Sequence, residues 1–456
     1  MTPHGPRAMV RTGRCIGCGG CVAQAGGSTA AMRMDASGRL RPTGSHAWDR
    51  AAATVVAQTC PFSSVVPDED RLSDTLFPEA RSHDAATGRY VAAYVGHVVE
   101  GAYRQDGSSG GLVSWMATEL LRTGRVDAVA HVHACEDPAA SGRLFEYRLS
   151  RTESAVRGGA GSRYYPVEMS HVLRTMLAEP GRYAVVGIPC FIKAVQLMRR
   201  RHPALRERIV HTLGLFCGHM KSARFAESLA WQMGANAEDM QHVDFRRKHP
   251  DRAANQYHAQ IALRDGRTLG RDWWPLVDGD WGAGFFMDDA CNLCDDVMAE
   301  TADVSFGDAW VEPYSSDWQG HNVVVVRTPA LDAMLRDARD QGRIAVDPVD
   351  ADFVAGTQAA GLRQRREGLS YRLARRSDAP PKRVPPDAHI ATPERRRIYR
   401  LRAAISRWSH RMFRLARFTR VRGLYLCWAR AALTTYHAFA YRRGRLGALL
   451  NRFGPG

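Results

Sequence analysis

Three cysteines near the start of the chain stand at two identical three-residue steps, in the run RCIGCGGCVAQAG. Such spacing turns the thiolates of Cys15, Cys18 and Cys21 inward from one tight loop. This suits a corner of an iron-sulfur cube better than the wider ligand spacing of a zinc tetrahedron. A bacterial ferredoxin run would continue with cysteine and proline, but Ala25 and Gly26 occupy those places. The run therefore indicates an iron-sulfur site whose fourth ligand comes from elsewhere in the chain.

A candidate for that fourth ligand is Cys60, which Pro61 follows in QTCPFSS. In two-cluster ferredoxins a distant Cys-Pro completes the first cluster, because the nearby cysteine serves the other one. The sequence thus predicts one [4Fe-4S] site in a halved ferredoxin-like module over residues 1–70. A four-cysteine zinc knuckle is the alternative, although zinc motifs usually come as two C-x-x-C pairs. The predicted ligands are Cys15, Cys18, Cys21 and Cys60.

The length of the chain argues against a structural role for disulfides. At 456 residues it can hold more than one domain and bury a large core, so its ten cysteines need another explanation. No apolar segment typical of an export signal follows the start MTPHGPRAMVRTG. A reducing compartment also suits thiolate ligands. We therefore expect a cytoplasmic protein.

A second region, over residues 88–345, alternates strand and helix patterns. YVAAYVGHVV is typical of a strand, the turn QDGSSGG leads into the apolar-periodic helix LVSWMATELLRTG, and VDAVAHVHA is another strand. Strand, turn, helix and strand predict a βαβ unit and a parallel or mixed sheet. The expected fold class is therefore α/β, or α+β mixed: a ferredoxin-like module, an α/β domain with a mixed sheet, and a helical basic tail.

Four more cysteines fall where this pattern would bring them together. Cys190 ends the strand run RYAVVGIPC and Cys217 ends RIVHTLGLFC. Parallel strands bring their carboxyl ends to one edge of a sheet, where open α/β folds place ligands. Cys291 and Cys294 form a C-x-x-C loop before a further strand run. Four thiolates suffice for a second cube, with a zinc site as the competing interpretation. The two remaining cysteines, expected to be ordinary buried thiols, are Cys135 and Cys427.

The order of these motifs resembles the beta-subunit family of coenzyme F420 hydrogenases and dehydrogenases over roughly residues 10–340. The motifs are QDGSSGG, GSRYYPV, GIPC, LFCGH, FRRK and CNLCDDVMAETADVSFGDAW. The resemblance implies an FAD-dependent iron-sulfur oxidoreductase that passes electrons between one-electron clusters and a two-electron hydride partner. Some relatives are associated with bacterial polysaccharide biosynthesis, so the implied acceptor belongs to polysaccharide or glycolipid assembly. The resemblance also implies a [4Fe-4S] cluster close to the flavin on Cys190, Cys217, Cys291 and Cys294.

The same resemblance makes two small-residue loops candidates for binding the flavin. QDGSSGG opens a helix, so its backbone N–H groups and the helix dipole would face a phosphate, although such a run is often simply a turn. RGGAGSRYYPV offers close backbone approach, with Arg163 and Tyr164 to pair with phosphate and stack on a ring; a solvated loop is the alternative. The candidate residues are Gly107, Ser108, Ser109, Gly110, Gly111, Ser162, Arg163 and Tyr164.

Two cationic features add to this prediction. Lys193, the candidate catalytic residue, follows Cys190 by one helical turn, where it would face the pyrimidine edge of the flavin. A surface lysine is the alternative. The run Arg246, Arg247 and Lys248 ends a strand and would dock an acidic coenzyme or a partner protein, or form a solvated edge. We expect a redox partner protein or a reduced coenzyme as the partner.

The positive charge is concentrated at the C-terminal end. The net charge is +16, and residues 394–456 hold sixteen arginines and one acid. After a linker predicted over residues 346–392, an arginine-rich amphipathic tail over residues 393–456 is expected to lie on an anionic membrane surface as a helical hairpin. Docking to a partner protein and an RNA-binding arm are the alternatives, with nucleic acid favoured least. The predicted apolar face is Ile398, Leu401, Ile405, Trp408, Met412 and Leu415.

Three functions from different classes remain open on the sequence alone. The first is an enzyme with FAD and two [4Fe-4S] clusters that reduces an organic acceptor. The second is an electron-transfer subunit that binds clusters and a partner but turns over no substrate itself. The third is a zinc-stabilised nucleic-acid-binding protein. Iron, sulfide and flavin content would separate the first two functions from the third.

Overall fold

The N-terminal module consists of short helices and a hairpin around the first cysteine loop. The structure is a computed structural model that describes residues 4–26, 29–377, 382–445 and 447–448. Val22, Leu40 and Trp48 form a small core of the module, whereas Val56 and Phe62 pack into the main core of the chain. The module is therefore docked on the body. Its elements are α1 (Pro6–Arg11), α2 (Gly20–Ala23), β1 (Ala31–Met34), β2 (Leu40–Thr43), α3 (His46–Ala51), α4 (Ala53–Thr59), α5 (Glu69–Leu76), β3 (Ser82–Asp84) and β4 (Gly88–Tyr90).

A mixed eight-stranded sheet forms the centre of the body, beside a separate three-stranded sheet. The strands are β5 (Ala92–Val98), β6 (Ala128–Ala134), β7 (Phe145–Ser150), β8 (Tyr183–Gly187), β9 (Ile209–Leu215), β10 (Met240–Arg247), β11 (His258–Leu263), β12 (Thr268–Asp272), β13 (Val304–Asp308), β14 (Asn322–Val326) and β15 (Ile344–Pro348). The large sheet has the order β15-β5-β14-β13-β9-β8-β6-β7, and β10, β11 and β12 form the small one. Strands β13, β9, β8 and β6 pair in parallel, and the other neighbours pair antiparallel. The predicted α/β class with a mixed sheet is confirmed.

Helices cover the sheet and continue the chain to its C-terminal end. They are α6 (Tyr103–Asp106), α7 (Leu112–Arg122), α8 (Pro138–Ser141), α9 (Glu153–Gly158), α10 (Ser170–Ala178), α11 (Pro189–Arg201), α12 (Pro203–Arg208), α13 (Arg224–Gln232), α14 (Pro329–Asp340), α15 (Ala351–Thr357), α16 (Ala359–Arg365), α17 (Glu367–Leu373), α18 (Pro393–Thr419) and α19 (Arg422–Tyr441). Short 3-10 helices lie at Ala237–Asp239 and Asp289–Leu293.

The predicted βαβ unit differs in one respect from the observed sheet. Strands β5 and β6 run in the same direction, but β14, β13, β9 and β8 lie between them. The connection through α7 is therefore a long crossover. By contrast, β8 and β9 are parallel neighbours, with Gly187 opposite Gly214 at their carboxyl ends. These two ends lead directly to Cys190 and Cys217, as the sequence predicts.

Both faces of the large sheet are buried. Along β8, Val185 packs into the main core, while Ala184 and Val186 pack into the core on the opposite face. All five residues of β8 are buried. This explains why the sequence of the strand is an uninterrupted apolar run and not an alternating one.

The stretch 346–392 is not the linker that the sequence suggests. It contains the end of β15 and the helices α15, α16 and α17, and residues 378–381 lie outside the described part. Leu369 and Leu373 of α17 are buried in the main core. The arginines that surround them in the sequence conceal this apolar side, because only the fold shows which residues turn inward.

The C-terminal segment is a helical hairpin, as predicted, but much of its apolar side packs on the body. Ile405, Phe413 and Tyr425 are buried in the main core, and Ser409 Oγ accepts a hydrogen bond of 2.9 Å from Phe286 N. The expectation of a separate tail whose apolar face is free is therefore wrong for Ile405, and Ile398, Leu401 and Met412 of that predicted face also pack against the main core. Residues 449–456 lie outside the described residues. Within the described ranges we find no helix with the length and apolar character needed to cross a bilayer.

Candidate functional site

The structure brings the first four predicted ligands around one cavity. Gly17 and Gly19, between the cysteines, have φ angles of +80° and +84°, and a Cβ on Gly17 would lie 2.4 Å from the Leu40 carbonyl oxygen. Glycine therefore lets the loop turn tightly enough to aim its thiols inward. Burial, together with a negative charge on Cys15, raises the pKa of Cys18 to about 12. The cavity is lined by Cys15, Cys18, Cys21 and Cys60, with Pro6, Met9, Met32 and Val56 among the apolar residues.

The second four cysteines also face one another, at the carboxyl ends of β8 and β9. Burial raises the pKa of Cys190 well above its ordinary value, and negative charge on Cys294, Cys217 and Cys291 raises it further. Thiolates that lie near one another in a largely buried setting would repel one another, so their anionic forms require a cationic centre among them. We call the set of Cys15, Cys18, Cys21 and Cys60 the first quartet, and the set of Cys190, Cys217, Cys291 and Cys294 the second quartet.

Arg365 holds the backbone of the second quartet. Its guanidinium donates hydrogen bonds to the carbonyl oxygens of Gly218 at 2.6 Å and Cys291 at 2.7 Å. Longer contacts reach the carbonyls of Cys294 at 3.4 Å and Cys217 at 3.5 Å. Arg365 lies in the stretch predicted as a linker, and no local motif distinguishes it from its arginine neighbours, so its role cannot be seen in the sequence.

The two quartets are neighbours. A negative charge on Cys18 contributes to the raised pKa of Cys190. Tyr147 lies beside both, since burial and then the charges of Cys190 and Cys18 raise the pKa of its hydroxyl. The two modules also join directly at this point, where Met169 N donates to the Cys18 carbonyl oxygen at 2.9 Å. Groups held by the two quartets would therefore be close enough to exchange electrons.

Neither quartet is arranged for a single ion. Within the described part of the chain, no three His, Cys, Asp or Glu side chains converge closely enough to hold one metal ion. The thiols of the first quartet instead surround a shared space.

A run of aromatic rings extends from the second quartet. His219, two residues after Cys217, stacks on Trp281 with ring centres 4.3 Å apart. Trp281 contacts Tyr164 at 4.8 Å, and Trp273 lies 5.5 Å from Tyr164. These rings form a continuous and largely buried path away from the cysteines.

The aromatic run ends at a basic cavity. Tyr257 contacts Trp273 at 5.0 Å, and the guanidinium of Arg246 lies 4.3 Å from the centre of the Tyr257 ring. The cavity unites Ser108 of the predicted glycine turn with the predicted basic run, although these motifs are far apart in the sequence. Its lining is Ser108, Arg246, Arg247, Lys248, His249, Arg252, Ala253, Ala254, Gln256, Tyr257 and Trp318.

The glycine turn is fixed by contacts from several sides. Lys248 Nζ donates to the Ser109 carbonyl oxygen at 2.7 Å, and Ser162 N donates to Ser108 Oγ at 2.7 Å. Gly111, before α7, has a φ angle of +85°, and a Cβ there would lie 2.5 Å from the Tyr103 carbonyl oxygen. The structure therefore brings the two predicted flavin loops together at this turn, which runs from Gly107 through Gly110 to Gly111.

Two predicted site residues lie elsewhere. Arg163 donates to the Ala160 carbonyl oxygen at 2.6 Å and covers the ring of Phe145, so its guanidinium does not line the basic cavity. Lys193 is buried and forms an ion pair of 2.9 Å with Glu69, so the alternative of a surface lysine is wrong. Its predicted place beside a flavin stays a prediction.

The cysteines outside the quartets divide into one buried and one exposed thiol. Cys135 is buried, as predicted. Cys427 is exposed, so the expectation of burial is wrong there. It lies on α19 between the buried Tyr425 and Ala429, on a side of the helix that does not face the body.

Comparisons with known proteins show the family to which the chain belongs. Two models of the family described as "Coenzyme F420 hydrogenase/dehydrogenase, beta subunit" match the chain, the N-terminal one over residues 93–174 and the C-terminal one over residues 181–352. Together these matches cover more than half of the chain. The chain is also 23% identical over 344 residues to one of the subunits of the F(420)H(2) dehydrogenase of Methanosarcina mazei, covering 73% of this chain and 85% of that protein.

The fold is similar to that of a chain in a solved structure, titled "Xenon derivatization of the F420-reducing [NiFe] hydrogenase complex from Methanosarcina barkeri". The TM-score is 0.50 and the identity 15%, over 67% of this chain and 99% of the other. This similarity extends to the fold alone. The two family models identify the chain as a member of the coenzyme F420 hydrogenase/dehydrogenase beta-subunit family, a family of electron-transfer oxidoreductase subunits.

Proposed function

We propose that this chain is an iron-sulfur flavoprotein that carries two [4Fe-4S] clusters and one FAD and passes electrons to an organic acceptor. The observation that carries the proposal is the continuous arrangement of the first quartet, the second quartet, the aromatic run and the basic cavity. This order suits an enzyme that converts between one-electron and two-electron chemistry. A flavin can exchange a hydride with one partner and pass single electrons to or from a cluster.

The thiol geometry supports clusters over zinc ions. Four thiolates on zinc, each about 2.3 Å from the metal, would bring their sulfur atoms within roughly 4 Å of one another. Among the residues that the structure describes, no three His, Cys, Asp or Glu side chains form a group that could hold one metal ion. The first quartet surrounds a space with apolar walls, which fits a larger inorganic group and excludes water from it.

The basic cavity fits the phosphate part of a dinucleotide. Ser108 stands at the turn before α7, and Arg247 and Lys248 supply cationic groups that would attract a diphosphate. The neighbouring aromatic run would pack against a flat ring and separate it from solvent. We therefore assign Gly107, Ser108, Ser109, Gly110, Gly111 and Ser162 to the binding turn, and Tyr164 to the ring.

The chain's own residues would prepare the site for electron transfer in three ways. Arg365 would keep the carbonyls around the second quartet fixed, so that little reorganisation accompanies a change of charge. His219, Trp281 and Tyr164 would exclude water between the second quartet and the cavity. Lys193 would act through the second quartet and not at reacting atoms, because Glu69 already holds its ammonium group.

The lining of the basic cavity bears on the nature of the electron acceptor. The cationic lining of the cavity supports an acidic molecule. An acceptor in polysaccharide or glycolipid assembly and a cytoplasmic location follow from the sequence resemblance and the cysteine chemistry. Both stay predictions.

The second candidate is an electron-transfer subunit with no substrate of its own. It is favoured by the matched proteins themselves, one of which is named as a subunit and the other as part of a hydrogenase complex. An enzyme would oxidise its reduced flavin with a small organic acceptor when isolated. A subunit of this kind would do so only after a partner protein is added, so an acceptor screen with and without co-encoded proteins separates the two.

The proposed electron path can be tested by anaerobic rapid mixing. Protein loaded with FAD is mixed with the one-electron donor methyl viologen radical, and the flavin absorbance is followed. Cys291→Ser should slow the reduction of the flavin, whereas the control Cys135→Ser removes a buried thiol outside both quartets and should leave the rate unchanged. An equal rate in Cys291→Ser and wild type, or no binding of FAD to wild type, would contradict the proposed function.

A further inference from the structure

We infer that the tip of the C-terminal hairpin binds the surface of an anionic phospholipid bilayer. The tip is the outward side of the end of α18 and the start of α19. It does not include the buried Ile405, which the sequence pattern placed on a membrane-facing side. It consists of Trp408, Arg411, Arg414, Leu415, Phe418, Arg420, Val421 and Leu424.

The apolar residues of the tip are unusually exposed for their size. Phe418 is 87% exposed, Val421 50% and Leu415 45%. Trp408, Leu415 and Phe418 are spaced by seven and then three residues, so they follow one another along one face of α18. A soluble surface rarely gathers large apolar side chains in this way unless another surface covers them.

Arginines surround these side chains without acidic partners. Arg411 lies over the ring of Trp408, 5.1 Å from its centre. Arg407, Arg414 and Arg420 form no ion pair with an acidic side chain in the described part of the chain. Their charge is therefore available to lipid phosphates, and each basic residue near an anionic surface adds about a fivefold gain in affinity.

The body presents the tip in a fixed orientation. Arg417 faces Glu227 at 3.6 Å, and Arg422 donates to Asn236 and lies over Trp231. Tyr425 OH donates to Asp278 at 3.0 Å, and His437 bonds to Asp280 at 2.8 Å. These contacts hold one side of the hairpin against the protein, so the opposite side with Phe418 points outward.

The chemistry of the tip favours a bilayer over RNA. Leu415, Val421 and Leu424 are aliphatic and cannot stack on bases, whereas they can enter the boundary between headgroups and acyl chains. A phosphate-tracking arm would also lose affinity steeply with salt. Attachment by both apolar insertion and charge should instead weaken only partly.

The test uses the full-length protein and sedimentation with vesicles. Vesicles of phosphatidylcholine alone are compared with vesicles that also contain phosphatidylglycerol. The protein should bind only the second kind, and Leu415→Ser with Phe418→Ser should weaken binding on the order of tenfold. Val65→Ser, at an equally exposed apolar residue away from the hairpin, should have no effect.

The charge contribution needs its own pair of variants. Arg411→Gln with Arg414→Gln should weaken binding to the anionic vesicles by more than tenfold. Arg81→Gln with Arg125→Gln removes the same charge from other exposed positions and should weaken it far less. All of these variants change exposed side chains, and an unchanged melting temperature checks that they fold. Binding of poly(U) with a steep salt dependence, or no binding of wild type to anionic vesicles, would overturn the inference, which is independent of the redox proposal.

Discussion

The guanidinium of Arg365 donates a hydrogen bond of 2.7 Å to the carbonyl oxygen of Cys291, a residue 74 positions earlier in the chain. The same group reaches Gly218, so one buried side chain joins the two loops that bring Cys217 and Cys291 into the second quartet. This contact also ties α16 to the site. The region after β15 is therefore part of the candidate redox centre.

We predict that Arg365→Ala removes the group bound by the second quartet. The substitution removes the short hydrogen bonds to the carbonyl oxygens of Cys291 and Gly218, and the loss at the buried Cys291 carbonyl should cost about 1–3 kcal/mol. Iron should fall by about four per chain, and the midpoint of chemical denaturation should drop. Arg365→Lys should restore little of the lost iron, because an ammonium group cannot reach several carbonyl oxygens in the geometry of a guanidinium. The exposed neighbour Arg363→Ala serves as the control, and an equal loss of iron in that variant would contradict a specific role for Arg365.

Substitution of one cysteine in each quartet should separate the two sites. Cys18→Ala and Cys291→Ala should each lower the iron content by about four per chain. Only Cys291→Ala should also disturb the bound flavin, because the aromatic run joins the second quartet to the cavity. Flavin fluorescence and iron content measure the two effects. If each variant stayed folded and lost all of its iron, the division into two sites would be wrong.

Substitutions of Phe413 and Phe418 can be compared to test whether the C-terminal hairpin packs on the body. Phe413 is fully buried and stacks on Trp231 with ring centres 4.2 Å apart, whereas Phe418 is almost fully exposed. Phe413→Ala should lower the free energy of unfolding by about 3–5 kcal/mol. Phe418→Ala should change it by less than about 0.5 kcal/mol. Equal effects in urea denaturation would show that α18 does not pack on the body as described.

Removal of residues 393–456 should therefore also affect the aromatic run and the stability of the body. Arg402 donates to the Gly282 carbonyl oxygen at 2.6 Å, close to the Trp281 of the aromatic run. We expect the truncated protein to lose flavin and stability together. Retention of full flavin and iron content after truncation would contradict this view and restore the independent tail that the sequence suggests.

The affinity for FAD should depend on pH through Lys248. Burial, and then repulsion from Arg104 and Arg246, lower the pKa of Lys248 from its ordinary value to about 7. The folded protein therefore gains a positive charge in the cavity as the pH falls through about 7, and FAD should bind more tightly at about pH 6 than at about pH 8. Lys248→Met should remove this slope, as measured by fluorescence titration. Arg247→Met should weaken binding but keep the slope, because a guanidinium stays charged throughout.

The lowered pKa of Lys248 also makes the stability of the folded protein depend on pH, but stability rises with pH where the affinity for FAD falls. The unfolded chain binds the Lys248 proton up to its ordinary pKa of about 10.5, so between about pH 7 and pH 10.5 it holds more protons than the folded chain. This residue therefore contributes a stability that rises with pH in that window. In Lys248→Met the pH dependence of the unfolding free energy should be flatter there.

Local signals explain what could be predicted from the sequence. The spacing of Cys15, Cys18 and Cys21 fixes one loop, and the apolar runs before Cys190 and Cys217 fix two parallel strands with adjacent ends. Their meeting follows from sheet geometry alone. The sequence also indicates the glycine turn and the basic run. It does not show that Ser108 and Lys248 line the same cavity.

The features that escaped prediction all depend on contacts between distant segments. Arg365 and the ring of Trp281 carry no local motif. The periodicity of α18 shows an apolar side but not what covers it, so Ile405 was expected at a membrane and lies in the core. Cys427 shows the same difficulty, because a helix position alone does not reveal whether a thiol faces the protein.

The central claim is most directly tested by counting iron, acid-labile sulfide and flavin in the protein purified without oxygen. Two quartets and one cavity predict about eight iron, about eight sulfide and one non-covalently bound FAD per chain. Cys18→Ala should retain about half of the iron and the FAD. Stoichiometric zinc without iron, or iron for only one cluster in fully loaded wild-type protein, would contradict the account.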